Sequence, residues 1–224
     1  MTKESEHLLS QVKEIYSKQV SETGLGIYSD PDWNRILQAF NFADGKSILD
    51  VGIGNGSLVN MLKKSNRFDR VTGVDISKHS KLILLDDIEF KIMNILDLEF
   101  KDKEFDTIIC MEVLEHLEIN DFYTGLSELR RVAKDNLIIT VPFREKEPVW
   151  WHDKPGGHRQ SFGLRKLNSI FPLGNGKLIE KSGDDNWIMI TEGSEALNHY
   201  RKNTVLSQKS KLKSNFFTRF FKKG

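Results

Sequence analysis

The chain has one cysteine, Cys110, in 224 residues. A single thiol excludes an intrachain disulfide and fits a reducing compartment, the cytoplasm. No apolar run approaches the ~18 residues needed to cross a bilayer. The N-terminus is charged and polar, which does not read as a signal peptide. No internal repeat is present, and nothing resembles an appended recognition domain for tRNA or DNA. From Arg201 onward acidic residues are missing altogether. Eight Lys/Arg stand there: Arg201, Lys202, Lys209, Lys211, Lys213, Arg219, Lys222 and Lys223. Positions 1–200 then hold 25 basic against 32 acidic residues. A body of formal charge −7 carries a tail of +8. Charge separated in this way points to an anionic partner for the tail. The acidic body disfavours a phosphate track, so nucleic acid is not the expected partner.

Hydrophobic residues make up 38% of the chain and charged residues 29%, which is ordinary for a soluble globular protein. The length favours one domain with additions. Residues 4–20 carry a helical stripe of Leu8, Leu9, Val12, Ile15 and Tyr16. Asp30-Pro31 starts a second helix, continued by Trp33, Ile36, Leu37 and Phe40. Strands are predicted near 46–51, 70–75, 88–93, 105–110 and 136–142. Helices are predicted near 56–65, 78–84, 112–117 and 120–133. A helix near 163–171 and strands near 177–182 and 186–191 follow, the last two around Gly183-Asp184-Asp185-Asn186. The alternation implies an α/β, Rossmann-like, doubly wound sheet of about seven strands. It is mostly parallel, closes on an antiparallel hairpin, and has helices on both faces. The division expected is a helical cap at 1–44, a main domain at 45–193 and a basic, Phe-rich tail at 194–224.

The core is organised around Ile48-Leu49-Asp50-Val51-Gly52-Ile53-Gly54-Asn55-Gly56-Ser57. An apolar strand runs into three glycines and then into the helical spacing of Leu58-Val59-Asn60-Met61-Leu62. Strand, Gly-rich turn and helix N-terminus make a nucleotide pocket, because glycine lets the backbone approach a ligand. Alone this motif leaves a nicotinamide fold open, with Ser57 as the fourth small residue. The next strand, Val71-Thr72-Gly73-Val74-Asp75, ends in a carboxylate 19 positions after Gly56. An acid there can accept both hydroxyls of a ribose.

Two later segments narrow the choice. These are Asn94-Ile95-Leu96-Asp97-Leu98-Glu99-Phe100, and Phe105-Asp106-Thr107-Ile108-Ile109 leading into Glu112-Val113-Leu114-Glu115-His116-Leu117. With D-V-G-x-G-x-G, F-D-x-I and E-V-L-E-H-L in order over about residues 45–145, the chain resembles the class I methyltransferases that use S-adenosylmethionine (SAM). It resembles most the broad small-molecule group. The resemblance implies SAM as cofactor and transfer of its methyl group to an acceptor heteroatom. It places Asp50 toward the amino-acid portion of the cofactor. It puts the main chain at Gly52, Gly54 and Gly56 close to it, and Asp75 with Ile76 at the ribose side. Asn94, with the main chain of Ile95, stands where the family commonly has an acid near adenine. Its side-chain oxygen can still accept a hydrogen bond, and Asp97 is a competing candidate. Cys110 and Met111 fall beside the transferring methyl. Cys110 reads as a buried small hydrophobe rather than a nucleophile, since no activating base is evident.

Glu112 and His116 are four apart, which on a helix puts them on one face. With Glu115 and a later histidine, His152 or His158, they resemble the metal-binding segment of small-RNA 3′-end methyltransferases of the Hen1 type. E-V-L-E-H-L is also widespread in metal-free members of the fold, and no residue is assigned here as a metal ligand. An irregular stretch from Pro142 to Phe162 should overhang the acceptor side of the cleft. Its Trp150-Trp151 pair can stack on a ring or pin the loop. His158-Arg159 with Phe162 resembles a segment such enzymes place near the acceptor, and a neutral imidazole there can deprotonate a hydroxyl. His158 is therefore the catalytic candidate. Phe216, Phe217, Phe220 and Phe221 share one helical face among basic residues, the pattern of an interfacial anchor on an anionic membrane surface. The expected protein is cytoplasmic, peripheral at the inner membrane face, with a small-molecule or lipid-linked glycan acceptor. A metal-assisted RNA 2′-O-methyltransferase and a non-catalytic SAM-binding protein are the alternatives.

Overall fold

The computed structural model describes residues 3, 6–8, 10–12, 14, 33–143, 158–180 and 186–203. Seven strands form one sheet in the order β3-β2-β1-β4-β5-β7-β6. They are β1 Ser47–Val51, β2 Arg70–Asp75, β3 Glu89–Ile92, β4 Phe105–Met111, β5 Ala133–Phe143, β6 Asn175–Glu180 and β7 Asn186–Gly193. β1 to β5 pair in parallel, and β7 runs antiparallel to both β5 and β6. The central strands are buried along most of their length, as expected of parallel strands covered on both faces.

Neighbouring residues on a strand serve opposite layers. Ile108, Cys110, Leu137 and Ile139 pack with helix α3 (Ile119–Val132) and helix α4 (Leu164–Ile170). Ile109, Ile138, Ile48 and Met189 pack with helix α1 (Trp33–Phe42) and helix α2 (Ser57–Lys64). Leu8 and Val12 of the N-terminal helical residues join this second layer. Leu9, Ile15, Tyr16, Asp30, Pro31, Trp150, Trp151, His152 and the Phe-rich tail lie outside the described residues. The chain leaves β1 for β2 on one side and β4 on the other, so the strand order reverses between β1 and β4. In an open α/β sheet ligands bind at that point, beyond the carboxyl ends of the strands.

Three expectations need correction. Residues 78–84 form no helix: positions 76–88 are bends, turns and irregular chain. Leu82, Ile83 and Leu84 are consecutive and all pack on the second layer, a demand that a 3.6-residue period does not meet. Residues 112–117 hold only a 3₁₀ turn, Leu114–His116. Glu112 has a left-handed backbone, φ 56°, which bars a helix from continuing through it. The packed body also runs past residue 193. Residues 194–203 are helical, with Ala196 and Leu197 buried, and the Arg201 guanidinium donates to the carbonyls of Arg130 and Ala133.

Candidate active site

Gly52, Gly54 and Gly56 all have positive φ, which is why the turn after β1 needs glycine. Their amides are already used within the chain. The N–H groups of Gly52 and Ile53 donate to Val74 O, and that of Gly56 to Ile53 O. The Gly54 N–H donates to Asp75 Oδ2 (3.1 Å). The loop therefore offers close approach rather than free donors. A Cβ built at Gly54 meets nothing within 4 Å, so a ligand can lie against that backbone. Asp75 ends β2 beside the loop, and its Oδ1 accepts the Ser77 N–H (3.3 Å). Each carboxylate oxygen keeps a lone pair for a further donor. Asp50 sits beneath, 2% exposed, and its Oδ1 has no hydrogen-bond partner among the described residues. Burial, and secondarily the charge of Asp75, push its carboxyl up to about 7. An orphaned acid, an open glycine backbone and a pre-oriented carboxylate fit a cofactor carrying an ammonium and a ribose diol.

The other predicted contacts are placed less uniformly. Ile76 is exposed beyond Asp75, as is Ile92, the β3 residue paired with Asp75. Asn94 Oδ1 accepts the Leu96 N–H (3.0 Å) and the Asp97 N–H donates to Asn94 O, so these residues build a tight turn. Ile95 buries its side chain, as Cys110 does, so each can meet a ligand only through its main chain. Burial raises the Cys110 thiol well above its usual range, and nearby Glu115, Asp50 and Glu112 add to this. Such a thiol does not act as a nucleophile. Met111 is partly buried against the α1–α2 layer.

The carboxyl ends of β4 and β5 gather a second set of groups. Glu112 Oε1 accepts the Thr140 hydroxyl (2.9 Å) and faces Arg35 of α1 (3.4 Å). The Arg35 guanidinium lies over the Trp187 ring of β7, 4.4 Å from its centroid. Glu115 is fully buried, and its carboxyl lies against that of Glu112. Burial pushes Glu112 up to about 7, with Arg35 and Thr140 opposing the shift. Burial and the neighbouring Glu112 hold Glu115 well above the carboxylate range. His116 does not share a helix face with Glu112. Its ring meets that of His158 instead, with centroids 5.0 Å apart. His158 is brought there by its neighbours. The N–H groups of Arg159 and Gln160 both donate to Glu115 O, and the Gln160 amide donates to Leu117 O (3.1 Å). Glu115, His116 and His158 each offer one ligand atom, and these lie within 4.8 Å of one another.

Sequence reasoning missed Arg35, Thr140, Gln160 and Trp187. Thr140 was the findable one, as the polar residue inside Leu137-Ile138-Ile139-Thr140-Val141. Arg35 and Trp187 come from distant elements and carry no local signal.

Comparison with known proteins agrees with this geometry. Residues 49–140 match the family profile described as a methyltransferase domain. A tRNA U34 carboxymethyltransferase of Nautilia profundicola is 33% identical over 119 residues, which is 48% of this chain and 39% of that protein. A ubiquinone biosynthesis O-methyltransferase of Neisseria meningitidis is 35% identical over 83 residues, 33% of this chain and 34% of that protein. The chain spans less than half the length of the curated relatives it matches. In fold it is similar to the 1,6-didemethyltoxoflavin-N1-methyltransferase of Burkholderia thailandensis, solved with S-adenosylhomocysteine (SAH) bound. The TM-score is 0.58 and the identity 15%, over 83% of this chain and 88% of that one. Residues 49–140 thus match a methyltransferase domain, and the glycine loop, the carboxylate after β2 and the 3-2-1-4-5-7-6 sheet give the chain the fold of the class I methyltransferases.

Proposed function

We propose that the chain transfers the methyl group of SAM to an oxygen of a small-molecule, sugar or lipid-linked acceptor. The observation that carries this is the position of His158: two backbone N–H bonds to Glu115 O hold its segment against the turn after β4, whose Val113 side chain lies against Gly52 of the glycine loop. Bound SAM supplies an activated methyl on a sulfonium. Asp50 would hold its ammonium, Asp75 its ribose, and the backbone at Gly52, Gly54 and Gly56 would let it approach. α1 caps the acceptor side, where Arg35 and Trp187 shape the wall above Glu112. An acceptor hydroxyl held beside His158 would give its proton to the imidazole as its oxygen takes the methyl group, the methyl carbon–sulfur bond breaking to leave SAH. Most of the rate comes from holding the reactants in line.

Methyl transfer from labelled SAM into extract of cells lacking the protein tests the reading. Label in a lipid, glycan or small-molecule fraction is expected; SAH binding with no label in any fraction would favour a non-catalytic SAM-binding protein. The expected site of action is the cytoplasmic face of the membrane, through residues 212–224. No helix among the described residues is long and apolar enough to cross a membrane. Retention on anionic vesicles at low salt, lost when residues 212–224 are removed, is the expected behaviour.

One observation favours a second reading. Glu115, His116 and His158 form a set able to hold a divalent cation with an open position, suited to a ribose 2′-hydroxyl of RNA. Transfer into RNA that requires a divalent ion and fails in both Glu115→Gln and His116→Ala would replace the first reading with this one.

A further inference from the structure

Asn60 lies in the second turn of α2, away from the crevice, and is fully buried. Both ends of its side-chain amide are engaged by one stretch of backbone. Its Nδ2 donates to Ile83 O (2.9 Å) and its Oδ1 accepts the Leu85 N–H (3.0 Å). These bonds hold the extended residues that stand where a helix was expected. The same stretch presses on the glycine loop. The Ile83 N–H donates to Asn55 O (3.2 Å), and a Cβ on Gly56 would fall 2.5 Å from Ile83 O.

The contacts close into a ring around Asp75. One arm runs from Asp75 Oδ2 to the Gly54 N–H and along the loop to Asn55. The other runs from Asp75 Oδ1 to the Ser77 N–H and along residues 77–83, where the Leu82 N–H to His79 O bond folds the turn. The arms meet where Ile83 bonds Asn55, and Asn60 holds Ile83 and Leu85 at that junction. We propose that Asn60 is a positioning residue for ribose recognition: by locking the junction it fixes the Asp75 carboxylate in the orientation that receives a vicinal diol. This rests on the reading that Asp75 takes the ribose of the cofactor.

The test is a double-mutant cycle on the full chain, read by calorimetric binding of SAH and of 5′-methylthioadenosine. Asn60→Ala is expected to weaken both ligands about tenfold, the effect of one misplaced hydrogen-bonding group. On an Asp75→Ala background the same change should cost less than about twofold, because the group it orients is gone. Hydrogen exchange at the Ser77 amide should speed up in Asn60→Ala without ligand. Full additivity of the two substitutions, or unchanged affinity in Asn60→Ala, overturns the inference. Unchanged affinity in Asp75→Ala is a different failure, since it removes the ribose role of Asp75 itself. If Asn60→Ala does not fold, Asn60→Asp keeps the acceptor for Leu85 and loses the donor to Ile83 O, and the same cycle applies.

Discussion

The two halves of the crevice handle their polar groups in opposite ways. Around β1 and β2 the loop amides and the Asp75 carboxylate are answered by the chain itself. Around β4 and β5, Glu112 and Glu115 are buried together, their carboxyls raised, with one backbone position in the left-handed region. The first half is finished before a ligand arrives. The second stores buried carboxyls held toward their neutral form and a strained backbone position, features that persist where the surroundings over-determine them and cluster at reacting centres. Asp50 is the exception in the finished half, a buried acid with one carboxyl oxygen left without a hydrogen-bond partner among the described residues.

The largest expected effect separates the halves outright. His158→Ala should lower methyl transfer by about 10²–10⁴-fold, the usual contribution of a general base. SAH affinity, set by the other half, should stay within about twofold. Parallel loss of transfer and SAH binding would mean that the division does not exist.

The division also explains what was legible. The glycine loop and Asp75 lie within 25 residues of each other, and their work is done by backbone geometry, which glycine and strand patterns report directly. The doubly wound, mostly parallel sheet followed from the same alternation, though its strand order did not. The segment 78–84 was misread because Leu82, Ile83 and Leu84 look like helix content, whereas the force on them is tertiary: a buried Asn60 and the face of Gly56. The β4–β5 half joins Arg35, Glu112, Thr140, His158 and Trp187 from across the chain. Only Glu112 and His158 sat in recognisable segments, and nothing in E-V-L-E-H-L announces a positive φ at its first residue.

Next in size is a contrast inside the finished half. Gly56→Ala combines φ 86° with a Cβ 2.5 Å from a backbone oxygen, whereas Gly54→Ala combines φ 55° with open space. Urea unfolding should show a loss of about 3 kcal/mol for the first, from left-handed strain plus a clash that must move the irregular residues 82–85. The second should lose about 1 kcal/mol, from strain alone. Equal losses would show that the ring of contacts around Asp75 is not rigid.

Asp50 sharpens the comparison through pH. Its carboxyl moves from an ordinary 3.8 to about 7 in the folded chain. Between those values the folded state binds the extra proton, so stability falls as pH rises from about 4 to about 7. Asp50→Asn removes that proton uptake. The stability of the variant relative to the parent should therefore improve by about 4 kcal/mol between pH 4 and pH 8. A pH-independent difference would mean that Asp50 is ionised throughout, and that the finished half has no exception.

The smallest effect probes whether the strained half is independent of the finished one. Thr140→Val keeps the shape of a fully buried side chain and removes the hydroxyl that donates to Glu112 Oε1. The Glu112 N–H to Thr140 O bond, made by the backbone, remains. Loss of one buried donor should cost about 1 kcal/mol in unfolding free energy. The Glu112 carboxyl loses an interaction that favours its charged form, so it should protonate at still higher pH. Any pH dependence of transfer that follows Glu112 should shift upward, with SAH affinity unchanged. If SAH binding fell as it is expected to in Asp75→Ala, the carboxyls behind β4 would be supporting the cofactor, and the two halves would be one network.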